Sequence, residues 1–216
     1  MHQLGLGGEL HGGGGAMLGG ASVYQSRMQL MLTSQPTLAT SRLFLRPFCM
    51  ADAVDVRRLA GDERVARTTL ALPFPYPEGA AEEWIAKHPG QYEARSEITF
   101  AITLLENEVL VGAITLMAVS KKHSRAELGY WIGTEYWSKG YCTEAVVQIV
   151  RFAQEQMELS RITGQCLAGN PASARVMTKA GMLPEGRLRM HVRKGSIFDD
   201  VLLFGINLPA RSIHYP

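Results

Sequence analysis

The chain has little of what marks several large classes of protein. Only three of its 216 residues are cysteines, Cys49, Cys142 and Cys166. An odd number at such wide spacing supplies neither a disulfide framework nor a zinc-ligand set, so a reducing, cytoplasmic compartment and no metal are expected. There is no charge-free apolar run near 18 residues, which argues against a membrane-spanning helix. Charge of one sign is also missing: 22 Lys and Arg face 20 Asp and Glu, a formal net of +2, and no basic field argues for nucleic acid. What is left, 46% hydrophobic and 19% charged, is the composition of a soluble globular chain long enough for one well-buried domain. Neither a membrane nor a nucleic-acid partner is expected, and a monomer and a homodimer are both open.

Residues 1–30 differ from the rest, being rich in glycine with Arg27 as their sole Lys or Arg. They read as a disordered leader or tag, without the basic start and unbroken apolar core of a secretory signal. Met28 and Met31 are candidate start residues, and 31–216 is taken as the domain. Gly12 to Gly15 do not form a phosphate loop, since no strand precedes them and no Lys-Ser or Lys-Thr follows.

A first strand is expected over Arg42–Phe48 and a helix over Ala51–Ala60, with Asp52 and Asp55 in its first turn where the dipole favours carboxylates. Leu72-Pro-Phe-Pro-Tyr-Pro77 must be a loop, because its prolines remove donors and fix φ. A helix is expected over Glu78–Ala94. Strands follow at Ile98–Leu104 and Val109–Val119, joined by a hairpin at Glu106–Glu108. In the next strand, Ala126–Ile132, Leu128, Tyr130 and Ile132 share one face and Glu127, Gly129 and Trp131 the other. Val146, Ile149, Val150, Ala153 and Met157 recur at helical spacing and define a helix reaching about Leu159. Strand Ile162–Ala168 completes a strand–helix–strand unit, hence a parallel crossover. Asn170 and Pro171 open a helix as N-cap and first residue, with Lys179 in its last turn and Gly181 as its stop. Two final strands, Arg187–Val192 and Val201–Ile206, flank Lys194-Gly195.

The junction Trp137-Ser-Lys-Gly-Tyr-Cys-Thr-Glu-Ala145 is the most informative stretch. A strand passing directly into a helix leaves backbone N–H groups unpaired at the positive end of the helix dipole, which makes an anion site. No Ser or Thr follows Lys139 as a Walker loop requires, and Gly140 alone does not supply the three glycines of a dinucleotide fingerprint. The loop suits a diphosphate held by main-chain amides, with Lys139 adding charge.

Ala126-Glu-Leu-Gly-Tyr-Trp-Ile132, Tyr136-Trp-Ser-Lys-Gly-Tyr-Cys-Thr-Glu-Ala145, Asn170-Pro-Ala-Ser173 and Lys179-Ala-Gly-Met182 together resemble the GNAT N-acetyltransferase superfamily. Thr40–Phe48 and the Leu72–Tyr76 loop are similar to its branch of ribosomal-protein alanine acetyltransferases. The resemblance spans roughly residues 35–208. It implies an α/β (α+β) fold: one mixed, mostly antiparallel sheet, helices on both faces, and a central parallel strand pair splayed around the cofactor. It also implies acetyl-CoA as co-substrate, with its diphosphate on the amides of Ser138, Lys139, Gly140, Tyr141, Cys142 and Thr143. A main-chain N–H near Tyr130, Trp131 or Ile132 would face the thioester carbonyl, Asn170 the cofactor arm, and Ser173 the leaving sulfur. Cys142 departs from the family's Gly or Ala and is either a small packed residue or a redox-sensitive thiol.

Glu127 is the candidate for proton removal, or else a structural carboxylate paired with Arg125 or Arg161. Ser173 is the second catalytic candidate, or a helix-capping residue. Asp199-Asp200 either borders the acceptor cleft or caps a turn, and His191 reads as structural. Lys121–Arg125 reads as a solvated connection. The expected acceptor is a primary amine, either a protein N-terminus or a small molecule. The rival from another class is a non-catalytic module that binds acetyl-CoA without turnover.

Overall fold

A computed structural model describes residues 34–209, and the expected leader lies outside them. Eight strands form one sheet: β1 (Leu38–Ala39), β2 (Leu43–Arg46), β3 (Ile98–Leu104), β4 (Leu110–Ser120), β5 (Arg125–Ile132), β6 (Arg161–Leu167), β7 (Leu183–Lys194) and β8 (Ile197–Asn207). Their order is β1-β2-β3-β4-β5-β6-β8-β7. Every neighbouring pair is antiparallel except β5 and β6, which are parallel. The helices are α1 (Ala53–Ala60), α2 (Glu63–Thr68), α3 (Ala80–Glu93), α4 (Tyr141–Glu155) and α5 (Pro171–Lys179).

The two faces of the sheet are covered by different helices. On one face α4 buries Ala145, Val146, Ile149, Phe152 and Ala153, which pack with Met177 of α5 against Leu128, Ile162 and Phe204. On the other, α1 and α3 contribute Val56, Leu59, Ala81 and Ile85 against Ala101, Ala113 and Trp131. Strands covered on both sides need apolar residues at every position. This is why β3 is buried almost throughout and β4 is buried from Leu110 to Leu116. Burying one such Leu or Ile contributes roughly 1.5–3 kcal/mol, and Leu43, Leu45, Ile102, Ile114 and Ile149 are all fully buried.

Several sequence expectations are corrected. β2 stops at Arg46, and the turn Met50–Asp52 is 3-10, so α1 proper begins at Ala53. Asp52 is the N-cap of α1 rather than part of its first turn, where Asp55 does lie. The Asp52 carboxylate is buried, taking bonds from Arg46 Nη1 and Nη2 at 2.8 Å each and from the Cys49 amide at 2.8 Å. Burial pushes its pKa up, but these bonds outweigh burial and hold it below the ordinary range. α2 was not anticipated; it starts where Asp62 accepts from the Arg64 amide at 2.8 Å. α3 begins at Ala80 and contains Pro89, and α4 ends at Glu155.

β7 and β8 are longer than expected, because β7 is a largely exposed edge strand with no alternation to mark it. Its register shifts between Leu188 and Val192, where Met190 has φ +48°. Asp200 holds that bulge, accepting from the Met190 amide at 2.7 Å and Arg187 Nε at 2.6 Å.

Candidate functional site

From Ile132 the chain reaches α4 through a 3-10 turn at Thr134–Tyr136 and then Trp137–Gly140. Ser138 and Gly140 are left-handed, at φ +62° and +81°. Such reversals gather successive N–H groups into an anion-binding concavity. Gly140 is the N-cap and offers no side chain, and the bond from the Glu144 amide to its carbonyl, at 3.1 Å, closes the first turn. The amides of Tyr141, Cys142 and Thr143 therefore have no intrahelical acceptor. A Cβ at Gly140 would strain that φ and come within 3.4 Å of Arg42 Nη2. Lys139 is exposed, its Nζ 5.4 Å from the Tyr136 ring centroid.

The loop is clamped by residues that sequence reasoning missed. Glu144 Oε1 accepts from Thr40 Oγ1 at 2.6 Å, Ser41 Oγ at 2.9 Å and the Arg42 amide at 2.9 Å. Its Oε2 accepts from Arg42 Nε at 2.8 Å, while Arg42 Nη1 donates to the Lys139 carbonyl at 3.0 Å. The turn between β1 and β2 is thus tied to the anion loop. Cys142 is half-buried against the main core. Burial pushes its thiol up, the direction opposite to that of a reactive thiolate, which favours the packed-residue reading.

Next to this loop the parallel pair opens. β5 and β6 are paired from Arg125–Arg161 to Leu128–Gly164 and no further, although β5 continues to Ile132 and β6 to Leu167. The main chain of Gly129 to Ile132 therefore has no partner from β6. Gly164 sits at the last pair because α5 packs closely there; a Cβ would lie 2.9 Å from Met177 Sδ. α4 and α5 both begin beyond the C-terminal ends of these two strands, the usual place for a ligand crevice in parallel sheet.

The two faces of β5 flank the opening. Toward α5, Tyr130 Oη lies 2.8 Å from Ser173 Oγ. Asn170 Oδ1 accepts from the Ser173 amide at 3.0 Å, and its Nδ2 donates to the Thr68 carbonyl at 2.9 Å. The Asn170 side chain is thereby already engaged as helix cap and tether. Trp131 and Ile132 are each 8% exposed and belong to the core, both pair with β4, and the Ile132 carbonyl already accepts from Trp137 Nε1 at 2.7 Å.

On the opposite face Glu127 stands between Met117 and Thr163 of the neighbouring strands. It is half-buried, and burial raises its pKa. Among the described residues no ion pair joins Glu127 to Arg125 or Arg161, and Arg161 is instead bonded to Glu185 and to Asn207 Oδ1. Across this side Lys194, from the tip of the β7–β8 hairpin, donates to the Ala66 carbonyl at 2.6 Å and to that of Thr69. Hairpin tip and α2 are thus joined.

The model of the acetyltransferase (GNAT) domain family matches residues 42–183. The chain belongs to the GNAT acetyltransferase family. It is 29% identical over 174 residues to the uncharacterized N-acetyltransferase YoaA of Bacillus subtilis, covering 81% of this chain and 98% of that protein. It is 26% identical over 101 residues to the ribosomal-protein-serine acetyltransferase of Escherichia coli, covering 47% and 56% of the two chains. The crystal structure of a GNAT-family acetyltransferase from Bacillus anthracis superposes with a TM-score of 0.70 at 26% identity, covering 80% of this chain and 98% of that one. The matches reach several branches of the family, and none singles out one acceptor.

Membership of the GNAT family carries acetyl transfer from acetyl-CoA to an amine acceptor. The anion loop and the β6-facing edge of β5 fit this co-substrate, the first through its free helix-start amides and the second because Gly129 to Ile132 pair with β4 on one side and have no β6 partner on the other.

Proposed function

We propose that this protein acetylates the α-amine of a peptide or protein N-terminus. The carrying observation is the position of Glu127, a half-buried carboxylate with no ion-pair partner among the described residues, one residue before the point where β5 and β6 part. When bound, acetyl-CoA supplies an activated acyl group. The amides of Ser138 to Thr143, with Lys139, hold its diphosphate, and main-chain groups of Gly129 to Ile132 line the acyl arm. Glu127 takes the proton of the acceptor amine, directly or through water, and Ser173 faces the departing sulfur.

The strength of the base argues for the acceptor. Burial makes Glu127 a better base than an exposed carboxylate, yet it remains weak beside an amine. An α-amine is about a tenth neutral at pH 7, whereas a lysine side chain is less than about a thousandth neutral. A lone carboxylate is adequate for the first and poor for the second. Similarity to the ribosomal-protein-serine acetyltransferase supports a protein acceptor.

The test is CoA release, followed with a thiol reagent, for three acceptors: a peptide with a free N-terminus, the same peptide Nα-blocked but with a free lysine, and a polyamine. Turnover should be confined to the first. Preference for the polyamine or the lysine peptide would replace the α-amine reading with a small-amine or side-chain one. Acetyl-CoA binding with no release for any amine would favour a sensor module. A reducing cytoplasm remains the proposed compartment.

A further inference from the structure

Tyr130 and Ser173 are 43 residues apart and meet at the opening between β5 and β6. The Tyr130 hydroxyl is 2.8 Å from Ser173 Oγ, a contact in which either can donate, and 3.2 Å from the Ser173 carbonyl. Two hydrogen arrangements satisfy these distances. In one, Ser173 donates to Tyr130 while Tyr130 donates to the Ser173 carbonyl, and no hydroxyl hydrogen is free. In the other, Tyr130 donates to Ser173 Oγ, and the Ser173 hydrogen is released to a third group, of which the buried Cys166 thiol is one already beside it. Rotation about two C–O bonds converts one into the other without moving a heavy atom. Asn170 fixes Ser173 through its amide at 3.0 Å, so the serine is anchored while its hydrogen remains rotatable.

We infer that Tyr130 is a positioning residue for acetyl transfer, switching Ser173 from a self-satisfied hydroxyl into a donor aimed at the departing sulfur. The inference rests on the proposed role of Ser173 and adds a residue that acts through it. As the amine nitrogen bonds to the acetyl carbon, the C–S bond breaks and its electron pair stays on sulfur. The proton lost by the amine goes to Glu127 or water. The thiolate is stabilised by the Ser173 hydrogen, and Ser173 loses no proton. A hydroxyl that accepts one bond becomes a stronger donor in the next. Tyr130 itself stays neutral, because burial pushes its ionisation well above the ordinary value.

The test follows the thiol of bound CoA rather than turnover alone. Its ionisation is titrated by ultraviolet absorbance in the binary complex for wild type, Tyr130→Phe, Ser173→Ala and the double variant, with unfolding temperatures as a check on folding. The wild-type complex should ionise at the lowest pH, with Ser173→Ala about one pH unit higher, a tenfold change. Tyr130→Phe should lie within a few tenths of a unit of Ser173→Ala, and the double variant no higher than Ser173→Ala. The value of kcat for Tyr130→Phe should fall about tenfold with KM for acetyl-CoA unchanged. If Tyr130→Phe titrates like wild type while Ser173→Ala is shifted, or if the two shifts add, the inference is wrong and the role of Ser173 stands. If Ser173→Ala titrates like wild type, the serine does not face the sulfur and both ideas fall.

Discussion

Replacing Glu144 by alanine tests whether the clamp behind the anion loop organises it. The carboxylate takes three bonds on Oε1, from Thr40, Ser41 and the Arg42 amide. On Oε2 it takes Arg42 Nε, with Arg42 Nη2 at 2.7 Å. Its side chain is 16% exposed and that of Arg42 48%. A bond to a charged group contributes about 1.5–3 kcal/mol, but the freed hydroxyls and guanidinium regain water, so the total for Glu144→Ala is about 2 kcal/mol. For a chain of this size that lowers the unfolding temperature by roughly 4–8 °C. Glu144→Gln keeps an oxygen for the three Oε1 donors and loses the arginine, for about half the effect.

Burial alone would raise the Glu144 pKa, yet bonds from Thr40, Arg42 and Ser41 outweigh it and the net direction is down. The contribution is therefore complete above the unfolded carboxylate value, near 4.3, and is lost as pH falls through the lowered folded value. The gap between wild type and Glu144→Gln should narrow in acid. CoA affinity, read by calorimetric titration, should fall roughly tenfold in Glu144→Ala, since Lys139 loses its anchor and the loop must be ordered on binding. An unfolding temperature and affinity within error of wild type would refute the reasoning.

Other outcomes follow from the same geometry. Glu127→Gln should lower kcat by about 100-fold with an α-amine acceptor, yet raise the unfolding temperature at neutral pH. The raised pKa of Glu127 favours the fold only while the group is protonated, a contribution lost as pH rises through that value; lower activity without higher stability would contradict this. His88 is 5% exposed, both ring nitrogens lack hydrogen-bond partners among the described residues, and burial lowers its pKa to about 4. Its neutral form favours the fold above about pH 6.5, and the advantage is lost as pH falls toward 4, to a total of about 3 kcal/mol. His88→Leu should flatten that acid limb in unfolding scans, and an unchanged limb would exclude His88 as its source. Lys194→Met should raise KM for the acceptor while leaving KM for acetyl-CoA alone, because it frees the hairpin tip from α2; equal effects on both substrates would count against an acceptor-side role.

The readable parts of the chain were those whose signal is local. Alternation across Ala126–Ile132 assigned the faces of Glu127 and Trp131, and the helical recurrence of Val146, Ile149 and Ala153 gave α4 its buried stripe. Asn170-Pro171 carries its own cap chemistry and forms the expected start of α5. α2 escaped because it is six residues long and buries only Val65 and Ala66, too few for a period. The upstream part of β7 escaped because an exposed edge has no apolar face. Glu144 with Thr40, and Tyr130 with Ser173, join segments 104 and 43 residues apart. Such pairs exist only after the sheet has brought the segments together, and no spacing announces them.

The central claim is that the Ser138–Thr143 loop and the opening beside it hold acetyl-CoA. Thermal unfolding with and without acetyl-CoA, with ATP as control, tests it most directly. At a hundred times Kd the ligand stabilises by about 2.7 kcal/mol, which predicts a rise of roughly 5–10 °C with acetyl-CoA and none with ATP. No rise with acetyl-CoA at any accessible concentration, or an equal rise with ATP, would contradict the account.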